Sequence, residues 1–330
     1  MKNFILFFTG LIFFSCQDHK KSVSINNSVY QPEYAHLFLI DSAGALNTLD
    51  HLGGVSSKVT YNALKDFNRI VVLNSTHFGY FEVLQSTSKI VGITEKGRLE
   101  QPYDSLLKHC VEVGRNGALD LEKILACEPD LVICNAFQRS ELRRLPQSIA
   151  LLEVDEYNES DPLAFPEWLL FFGQLLGKSE QAQVEFKHIE QRYLSFPPSE
   201  EEFAVGTLYR FGNKYFSSPC EGRLSQIIER MGFRLKCFGK GHQTAEITKE
   251  QALVMLNQLD YLFFVDWHQT ARTRQELMEE LDLGVFSAQI VYCTAKQSHY
   301  YEELMMRPDV LMDALSKAIN EEENSYFVKF

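Results

Sequence analysis

The sequence predicts an α/β fold: two Rossmann-like lobes with parallel-type sheets, joined by one long backbone helix. A helix–strand unit occurs twice, since residues 119–134 and 247–265 each read as a polar cap with a glutamate, a short amphipathic helix, an aspartate and an apolar strand. One such unit in each half of the chain indicates two similar lobes. Between the units, residues 162–194 carry apolar side chains at helical spacing, which predicts the connecting helix. Two lobes enclose a cleft, and clefts bind ligands.

The first lobe is predicted from an alternation of strands and helices. Residues 69–73 and 89–93 are apolar and predict buried strands, with an amphipathic helix over 78–85 between them. A strand, a helix and a strand in so few residues favour a parallel arrangement. The unit at 119–134 continues the alternation, and residues 150–154 supply a further strand.

A long helix and a second lobe follow. At a rise of ~1.5 Å per residue, about thirty helical residues extend ~45 Å, enough to cross from one lobe to the other. Gly173 and Gly177 are the points at which this helix would bend, and Pro197-Pro198 end it. Besides the repeated unit, the second lobe is predicted to contain strands at 203–209 and 290–293 and helices at 224–231 and 308–320.

The first residues resemble a bacterial lipoprotein signal. Lys2 precedes an apolar stretch, residues 4–14, that is too short to span a bilayer. Ser15-Cys16 then place a small residue before a cysteine, so we expect Cys16 to be lipidated; a plain secretory signal with a chance cysteine is the alternative. Residues 17–27 are polar and lack periodicity, as in a flexible tether. The expected location is the cell envelope, lipid-anchored on the periplasmic side, with surface exposure left open.

These features divide the chain into five segments. We assign residues 1–15 to a signal peptide, 16–66 to a lipid-anchored tether and N-terminal extension, 67–160 to an N-terminal α/β lobe, 161–196 to the connecting backbone helix and 197–330 to a C-terminal α/β lobe.

Composition and motifs exclude several classes of function. The net charge of −12 opposes binding to a nucleic-acid backbone, which needs clustered lysines and arginines. The chain has no GxSxG elbow, no P-loop and no GxGxxG after a strand, so we do not expect an enzyme. It also has no CxxC pair, which argues against a zinc knuckle or a thioredoxin motif. A Cys220–Cys237 disulfide fits an exported protein, but the sequence leaves that pairing open.

The order of these elements resembles the helical-backbone (class III) substrate-binding proteins of bacterial ABC importers, which are receptors for iron–siderophore complexes, haem and cobalamin. The resemblance extends over residues 69–320, and residues 161–168 look like the binding proteins of Bacteroidetes. The stretches that carry it, besides the long helix, are 69–73 with 89–93, 113–114 leading into 121–125 and 129–133, 250–253, and 307–311.

The resemblance implies a binding function without catalysis and without a cofactor of its own. The ligand would be an iron–siderophore complex, haem or cobalamin. The partner would be an ABC permease and ATPase complex in the inner membrane, and the chain would be a monomer that touches the membrane only through its N-terminal lipid. Two alternatives stay open: a receptor for free transition metal such as zinc or manganese, with the same architecture, and a surface lipoprotein without a transport role, whose mark would be a closed or filled cleft.

Loops at the carboxyl ends of the strands are expected to line the cleft, because open α/β sheets bind ligands there. Aromatic rings can stack on a large planar ligand, and Arg115 and Arg210 could pair with its carboxylates. Core packing for each aromatic residue and a solvated surface for each arginine are the alternatives. The expected ligand-binding residues are Thr76, His77, Arg115, Asn116, Asn135, Phe137, Gln138, Tyr209, Arg210, Phe211, Trp267, His268 and Tyr300.

We assign no metal site. His77 and His268 lie in expected cleft loops on opposite lobes, and with Asp266 they are the residues that a partial site, or a haem iron, would use. No HxH or HxxxH spacing accompanies them, and a single histidine in a loop is more often a hydrogen-bonding residue.

Glu122 and Glu250 lie at the start of the two repeated helices. An acidic residue in the first turn stabilises a helix, which is one explanation. The resemblance adds another, because in the vitamin B12 receptor of this family matching glutamates on each lobe pair with arginines of the permease. We therefore expect these two glutamates to dock the permease as well.

Overall fold

The computed structural model describes residues 28–59, 67–99, 103–115, 117–242, 244–266 and 271–330. The predicted signal peptide, the tether and its lipidation site Cys16 lie outside these residues, as do Asn116, Trp267 and His268. No helix within the described ranges has the length and apolar character of a membrane span.

The N-terminal extension is a small antiparallel sheet that packs on the first lobe. Its strands are β1 (Ser28–Tyr30), β2 (Phe38–Asp41), β3 (Leu46–Leu49) and β4 (Val55–Val59), in that spatial order. Phe38 packs on Trp168 of the connector, with ring centroids 4.7 Å apart, and both side chains share an apolar core with the first lobe. Two buried carboxylates hold the segment between β1 and β2: Glu167 accepts from the backbone N–H groups of residues 33–35, and Glu159 from those of residues 36 and 37.

The first lobe contains a parallel sheet. Its strands and those of a small neighbouring hairpin are β5 (Ile70–Val72), β6 (Ile90–Ile93), β7 (Val111–Glu112), β8 (Gly114–Arg115), β9 (Ala118–Leu119), β10 (Leu131–Cys134) and β11 (Ala150–Glu153). The helices are α1 (Phe78–Val83), α2 (Asp104–Leu107) and α3 (Leu121–Ala126). All pairs in the order β11–β10–β5–β6–β7 are parallel. Strand β5 is apolar throughout because both faces of a parallel sheet are covered. The predicted strand–helix–strand unit is confirmed.

The connector differs from the single long helix that the sequence predicts. It consists of two helices, α4 (Ala164–Leu176) and α5 (Ser179–Ser195), which pack against each other. Gly177 ends α4 in the left-handed conformation, with φ +71°, and the N–H of Lys178 donates to the carbonyl of Gly173 at 2.6 Å. Gly173 also permits the close packing, because a Cβ there would lie 2.4 Å from the Cβ of Ala182. Gly177 therefore breaks the helix instead of bending it.

The second lobe contains a mixed sheet in the order β15–β13–β12–β16–β17–β18, with β14 pairing β12. These strands are β12 (Ala204–Phe211), β13 (Lys214–Ser217), β14 (Arg234–Lys236), β15 (Ala245–Ile247), β16 (Tyr261–Asp266), β17 (Gln289–Thr294) and β18 (Val328–Lys329). Its helices are α6 (Arg223–Arg230), α7 (Lys249–Leu256), α8 (Arg274–Leu281) and α9 (Pro308–Ile319). The central pairs of β12 with β14 and β16, and of β16 with β17, are parallel. The α/β class is thus confirmed, and the disulfide left open by the sequence joins Cys220 and Cys237.

Segments that follow the carboxyl ends of the two sheets touch each other. Ser75, just after β5, donates its hydroxyl to Glu302, which lies beyond β17, at 2.8 Å. The side-chain amide of Gln226 donates to the carbonyl of Ser160 at 2.9 Å. Met306 of the second lobe packs in the apolar core of the first. The carboxyl ends of both sheets therefore face the junction between the lobes.

Candidate ligand-binding cleft

His77 belongs to the first lobe and lies in the segment that contacts the second lobe. The turn Ser75–His77 follows β5 and is capped by Asn74, whose side chain accepts from the N–H of Thr76 at 3.1 Å. His77 is fully buried, and its Nε2 lies 2.7 Å from Oε2 of Glu156. The other carboxylate oxygen of Glu156 accepts from the Thr76 hydroxyl at 2.7 Å. Both predicted site residues are therefore bound to the carboxylate of Glu156, with His77 fully buried and Thr76 half-buried.

Asn135 and Gln138 form part of the framework of the first lobe, which corrects the expectation that they line the cleft. Both side chains are fully buried. Asn135 donates to the carbonyl of Val154 at 2.7 Å, and Gln138 donates to that of Leu73 at 2.9 Å. They tie together the ends of three strands through backbone carbonyls, and Asn135 also accepts from the side-chain amide of Asn74 at 3.0 Å.

Two other predicted residues of the first lobe are on the surface. Phe137 is 55% exposed in the turn after β10. Arg115, in β8, is also exposed. Both side chains lie outside the apolar core and are accessible to a ligand.

The second lobe brings four predicted residues together. Tyr209, Arg210, Phe211 and Asp266 line one cavity of about 710 Å³ at the carboxyl edge of the sheet. Tyr209 stacks on Phe216, with ring centroids 5.1 Å apart. The walls also include Phe264, Arg272 and Glu280. The cavity thus combines aromatic faces with charged side chains.

The charged side chains of this cavity are engaged within the protein. Asp266 is buried, pairs with Arg272 at 2.6 Å and accepts from the Tyr292 hydroxyl at 2.7 Å. Burial raises the pKa of Tyr292 to about 12. Arg210 donates to the carbonyl oxygens of Gly212 and Glu280. The two predicted residues, Asp266 and Arg210, therefore make hydrogen bonds and ion pairs that position the segments lining the cavity.

No metal centre is formed by the described part of the chain. Within it, no group of three or more histidine, cysteine, aspartate or glutamate side chains is arranged to hold an ion. His77 and Asp266 are each paired internally and lie in different lobes. His268, the third weak candidate, falls outside the described residues.

Arg223 is the residue that the sequence analysis missed. Its guanidinium carbon lies 3.5 Å from the centroid of the Phe165 ring, which belongs to helix α4 of the connector. Nε and Nη1 are buried and have no hydrogen-bond partner, while Nη2 contacts only the sulfur of Met305, at 3.6 Å. Burial lowers the pKa of Arg223 to about 10. A cation in the first turn of α6 opposes the helix dipole, and that was the available signal.

Buried tyrosines surround this guanidinium from both lobes. Tyr300, a predicted site residue, packs edge-on against Tyr301, with ring centroids 5.1 Å apart. Burial raises the pKa of Tyr300, and the charge of Arg223 opposes that rise. Tyr80 and Glu156 contribute from the first lobe, since both oppose the lowering of the pKa of Arg223 by burial. Arg223 thus lies where both lobes meet.

Exposed aromatic side chains cluster at strand ends. Phe137 and Tyr157 follow β10 and β11 of the first sheet, and they are 55% and 46% exposed. Phe211 ends β12 and Phe238 follows β14 of the second sheet, and they are 78% and 39% exposed. Among the described residues, these four are the large aromatic side chains with that degree of exposure. Both carboxyl edges therefore present aromatic surface.

Residues 70–281 match a family described as periplasmic binding protein. The chain belongs to this family. No curated protein matches the chain. The solved structures that share this fold include a periplasmic binding protein from Veillonella parvula, with 13% sequence identity and a TM-score of 0.63 over 85% of this chain and 99% of that one. The haem binding protein HutB of Vibrio cholerae has 15% identity and a TM-score of 0.61 over 76% of this chain and 99% of that one. The siderophore binding protein FhuD of Vibrio cholerae, bound to Fe3+–Desferal, has 18% identity and a TM-score of 0.56 over 76% of this chain and 98% of that one.

Membership explains the architecture of two α/β lobes and a helical connector. The resemblance to the helical-backbone class holds as a resemblance of fold, since the solved structures that share the fold include a haem binding protein and a siderophore binding protein. Periplasmic binding proteins bind a substrate for transport and are not enzymes. They act in the cell envelope together with an ABC permease and ATPase.

The two glutamates of the repeated helices are exposed on this periplasmic binding protein. Glu122 and Glu250 lie in the first turns of α3 and α7. The N-caps are Asp120 and Thr248, whose side chains accept backbone N–H groups of their helices. The pKa of Glu250 is lowered by its own backbone N–H and by the Thr248 hydroxyl. Capping therefore does not depend on either glutamate alone.

Proposed function

We propose that this periplasmic binding protein captures a metal-chelate ligand, an iron–siderophore complex, haem or cobalamin, between its lobes and delivers it to an ABC permease. The observation that carries the proposal is the guanidinium of Arg223, which lies at the junction of the lobes with Nε and Nη1 buried and unpartnered. A buried guanidinium with two nitrogens that lack hydrogen-bond partners is unfavourable, so selection for stability alone would not keep it. An anionic group of the ligand would supply the partner. This chemistry favours haem or an anionic siderophore among the three ligands.

The exposed aromatic side chains support the same ligand class. Phe137 and Tyr157 belong to one lobe, and Phe211 and Phe238 belong to the other. Rings of this kind pack on the flat, apolar surface of a porphyrin or on the aromatic groups of a siderophore. A ligand held between them would make contacts with both lobes at once.

The experiment compares Arg223→Ala with Arg115→Ala. Haemin, ferric desferrioxamine and cyanocobalamin are titrated into each purified protein, and the visible absorption spectrum is followed. A lost charge-assisted contact weakens binding by about 10–100-fold, so Arg223→Ala should lose that much affinity for the probe that binds the wild type. Arg115→Ala, an exposed arginine, controls for the change in net charge. Equal affinity of Arg223→Ala and the wild type would contradict the proposal.

We also propose that Cys16 carries a lipid and that Glu122 and Glu250 dock the permease. The sequence Ser15-Cys16 after an apolar stretch supports the first point. The exposure of both glutamates at equivalent positions supports the second. Incorporation of labelled palmitate into the wild type but not into Cys16→Ala tests the lipid.

A further inference from the structure

Helix α6 begins next to a disulfide bond. Arg223 is the first residue of this helix, and Gly222 is its N-cap. A glycine has no side chain that could accept from the first N–H groups of the helix, so the first turn is weakly secured by its own residues. Cys220, which lies just before this N-cap, is bonded to Cys237, the residue that follows β14. The covalent bond therefore acts where α6 most needs an external support.

Residues 237–242, which we call the disulfide loop, add hydrogen bonds to the covalent bond. The N–H groups of Cys220 and Glu221 donate to two carbonyl oxygens of this loop, at 3.2 and 2.9 Å. Nδ1 of His242 lies 2.9 Å from the carbonyl oxygen of Glu221. Together these contacts fix the backbone immediately before Arg223.

The position of the Arg223 guanidinium depends on that backbone more than on contacts of its own. Its Nε and Nη1 have no hydrogen-bond partner in the described part of the chain, and Nη2 meets the sulfur of Met305 at 3.6 Å. The ring of Phe165 lies under one face of the guanidinium, and a ring face restrains its orientation less than directed hydrogen bonds would. A shift of the first turn of α6 would thus carry the guanidinium with it.

We propose that the disulfide between Cys220 and Cys237 positions Arg223 for the ligand, so that this bond serves binding as well as stability. The inference rests on the proposed function, and it adds a positioning element to the arginine that carries that proposal. When the bond is absent, the first turn of α6 loosens, while Ile227 and Ile228 remain in the apolar core and keep the rest of the helix in place. The apparent affinity then falls with the fraction of molecules that hold Arg223 in position.

The disulfide is also the cysteine pair that a reductant can reach. Cys220 and Cys237 are half-buried, whereas the four free cysteines of the described residues are buried. An oxidising compartment such as the periplasm keeps a bond of this kind formed. Ligand affinity is therefore tied to the oxidised state of the protein.

The test removes the disulfide in the presence and in the absence of Arg223. The double variant Cys220→Ser with Cys237→Ser is titrated with whichever probe, haemin, ferric desferrioxamine or cyanocobalamin, the purified wild type binds. Its affinity should fall about three- to tenfold, as it would if Arg223 were in position in about a third to a tenth of the molecules. Added to Arg223→Ala, the same two substitutions should change the affinity by less than about twofold, because no guanidinium is left to misplace.

Leu256→Ala is the control for a loss of stability. Leu256 is fully buried in an apolar core of the second lobe that is separate from the core of α6. Its truncation should lower the melting temperature, as removal of the disulfide should, and leave the affinity for the probe unchanged.

Three results would overturn the inference alone: wild-type affinity in the double cysteine variant, an equal loss with and without Arg223, or the same loss in Leu256→Ala. Wild-type affinity in Arg223→Ala, or a wild type that binds no probe, would overturn the proposed function and the inference with it. If the double cysteine variant does not fold, the folded wild type and Arg223→Ala are reduced with dithiothreitol, blocked with iodoacetamide and freed of both reagents. The same titrations against unreduced protein then repeat the comparison.

Discussion

The guanidinium of Arg223 lies over the ring of Phe165, with its carbon 3.5 Å from the ring centroid, and this contact joins the second lobe to helix α4 of the connector. The arrangement places a cation between the lobes and satisfies it only partly, since two of its nitrogens have no partner. Such a residue is suited to binding an anionic ligand and poorly suited to stabilising the fold.

Arg223→Met should therefore make the protein more stable and less able to bind. Methionine keeps the apolar contact with Phe165 and removes a buried charge, so we expect the free energy of unfolding to rise by about 1 kcal/mol or more. Chemical denaturation measures this rise, and titration with the bound probe measures the loss of affinity. A variant that is both less stable and fully able to bind would refute this role for Arg223.

Simultaneous replacement of Glu122 and Glu250 by alanine should abolish uptake while ligand binding persists. Both side chains are exposed, and each helix keeps its own N-cap. The loss would thus come from the contact with the permease and not from unfolding. Uptake in cells and binding by the purified protein are measured side by side. Normal uptake by the double variant would show that the two glutamates do not dock the permease.

Gly79→Ala should disturb the contact between the lobes. A Cβ at this position would lie 2.0 Å from the carbonyl oxygen of Glu302, so helix α1 and the segment after β17 would have to move apart. Overpacking of this kind costs about 1–3 kcal/mol, which a thermal melt detects. Gly54→Ala is the control, because it lies in an exposed turn of the N-terminal extension and its new Cβ would meet only side-chain atoms of Asp50, the nearest at 2.9 Å. Equal melting temperatures for both variants would show that the lobes are not in firm contact there.

The sequence predicted most of the secondary structure because local patterns determine it. The apolar run at Ile70 and the Asp120 and Thr248 caps identify their elements without knowledge of the rest of the fold. The break at Gly177 was harder to predict, since a glycine in a helical pattern can continue, bend or end the helix. Packing against Ala182 decides the outcome, and packing is a tertiary property.

The candidate site was less predictable for the same reason. Strand ends locate the edge of a sheet, which is why Phe137 and Tyr209 were placed near the cleft. Whether a polar side chain at that edge faces the space between the lobes or supports a loop depends on how deeply the fold buries it. Asn135 bonds the backbone of a neighbouring strand, whereas Arg223 is left without a partner, and no local pattern distinguishes the two.

Glu82 should make the stability depend on pH. Burial, and then the charge of Glu303, raise its pKa above the ordinary value of 4.5, although Arg307 opposes the shift. The protonated carboxyl is therefore favoured in the folded protein, and that stabilisation is present below 4.5 and is lost as the pH rises through the higher folded-state pKa. Glu82→Gln should raise the free energy of unfolding at neutral pH and change it little in acid. The exposed Glu200→Gln, which lies outside any helix, is the control, and the same change in stability at both pH values for Glu82→Gln would contradict this account.

The measurement that tests the central claim most directly is a crystal structure of the protein with the probe that it binds, among haemin, ferric desferrioxamine and cyanocobalamin. The account predicts that the probe lies between the lobes. An anionic group should be within hydrogen-bond distance of Arg223, and aromatic side chains from both sheet edges should contact the probe. A probe bound on the outer face of one lobe, with Arg223 still unpartnered, would contradict it.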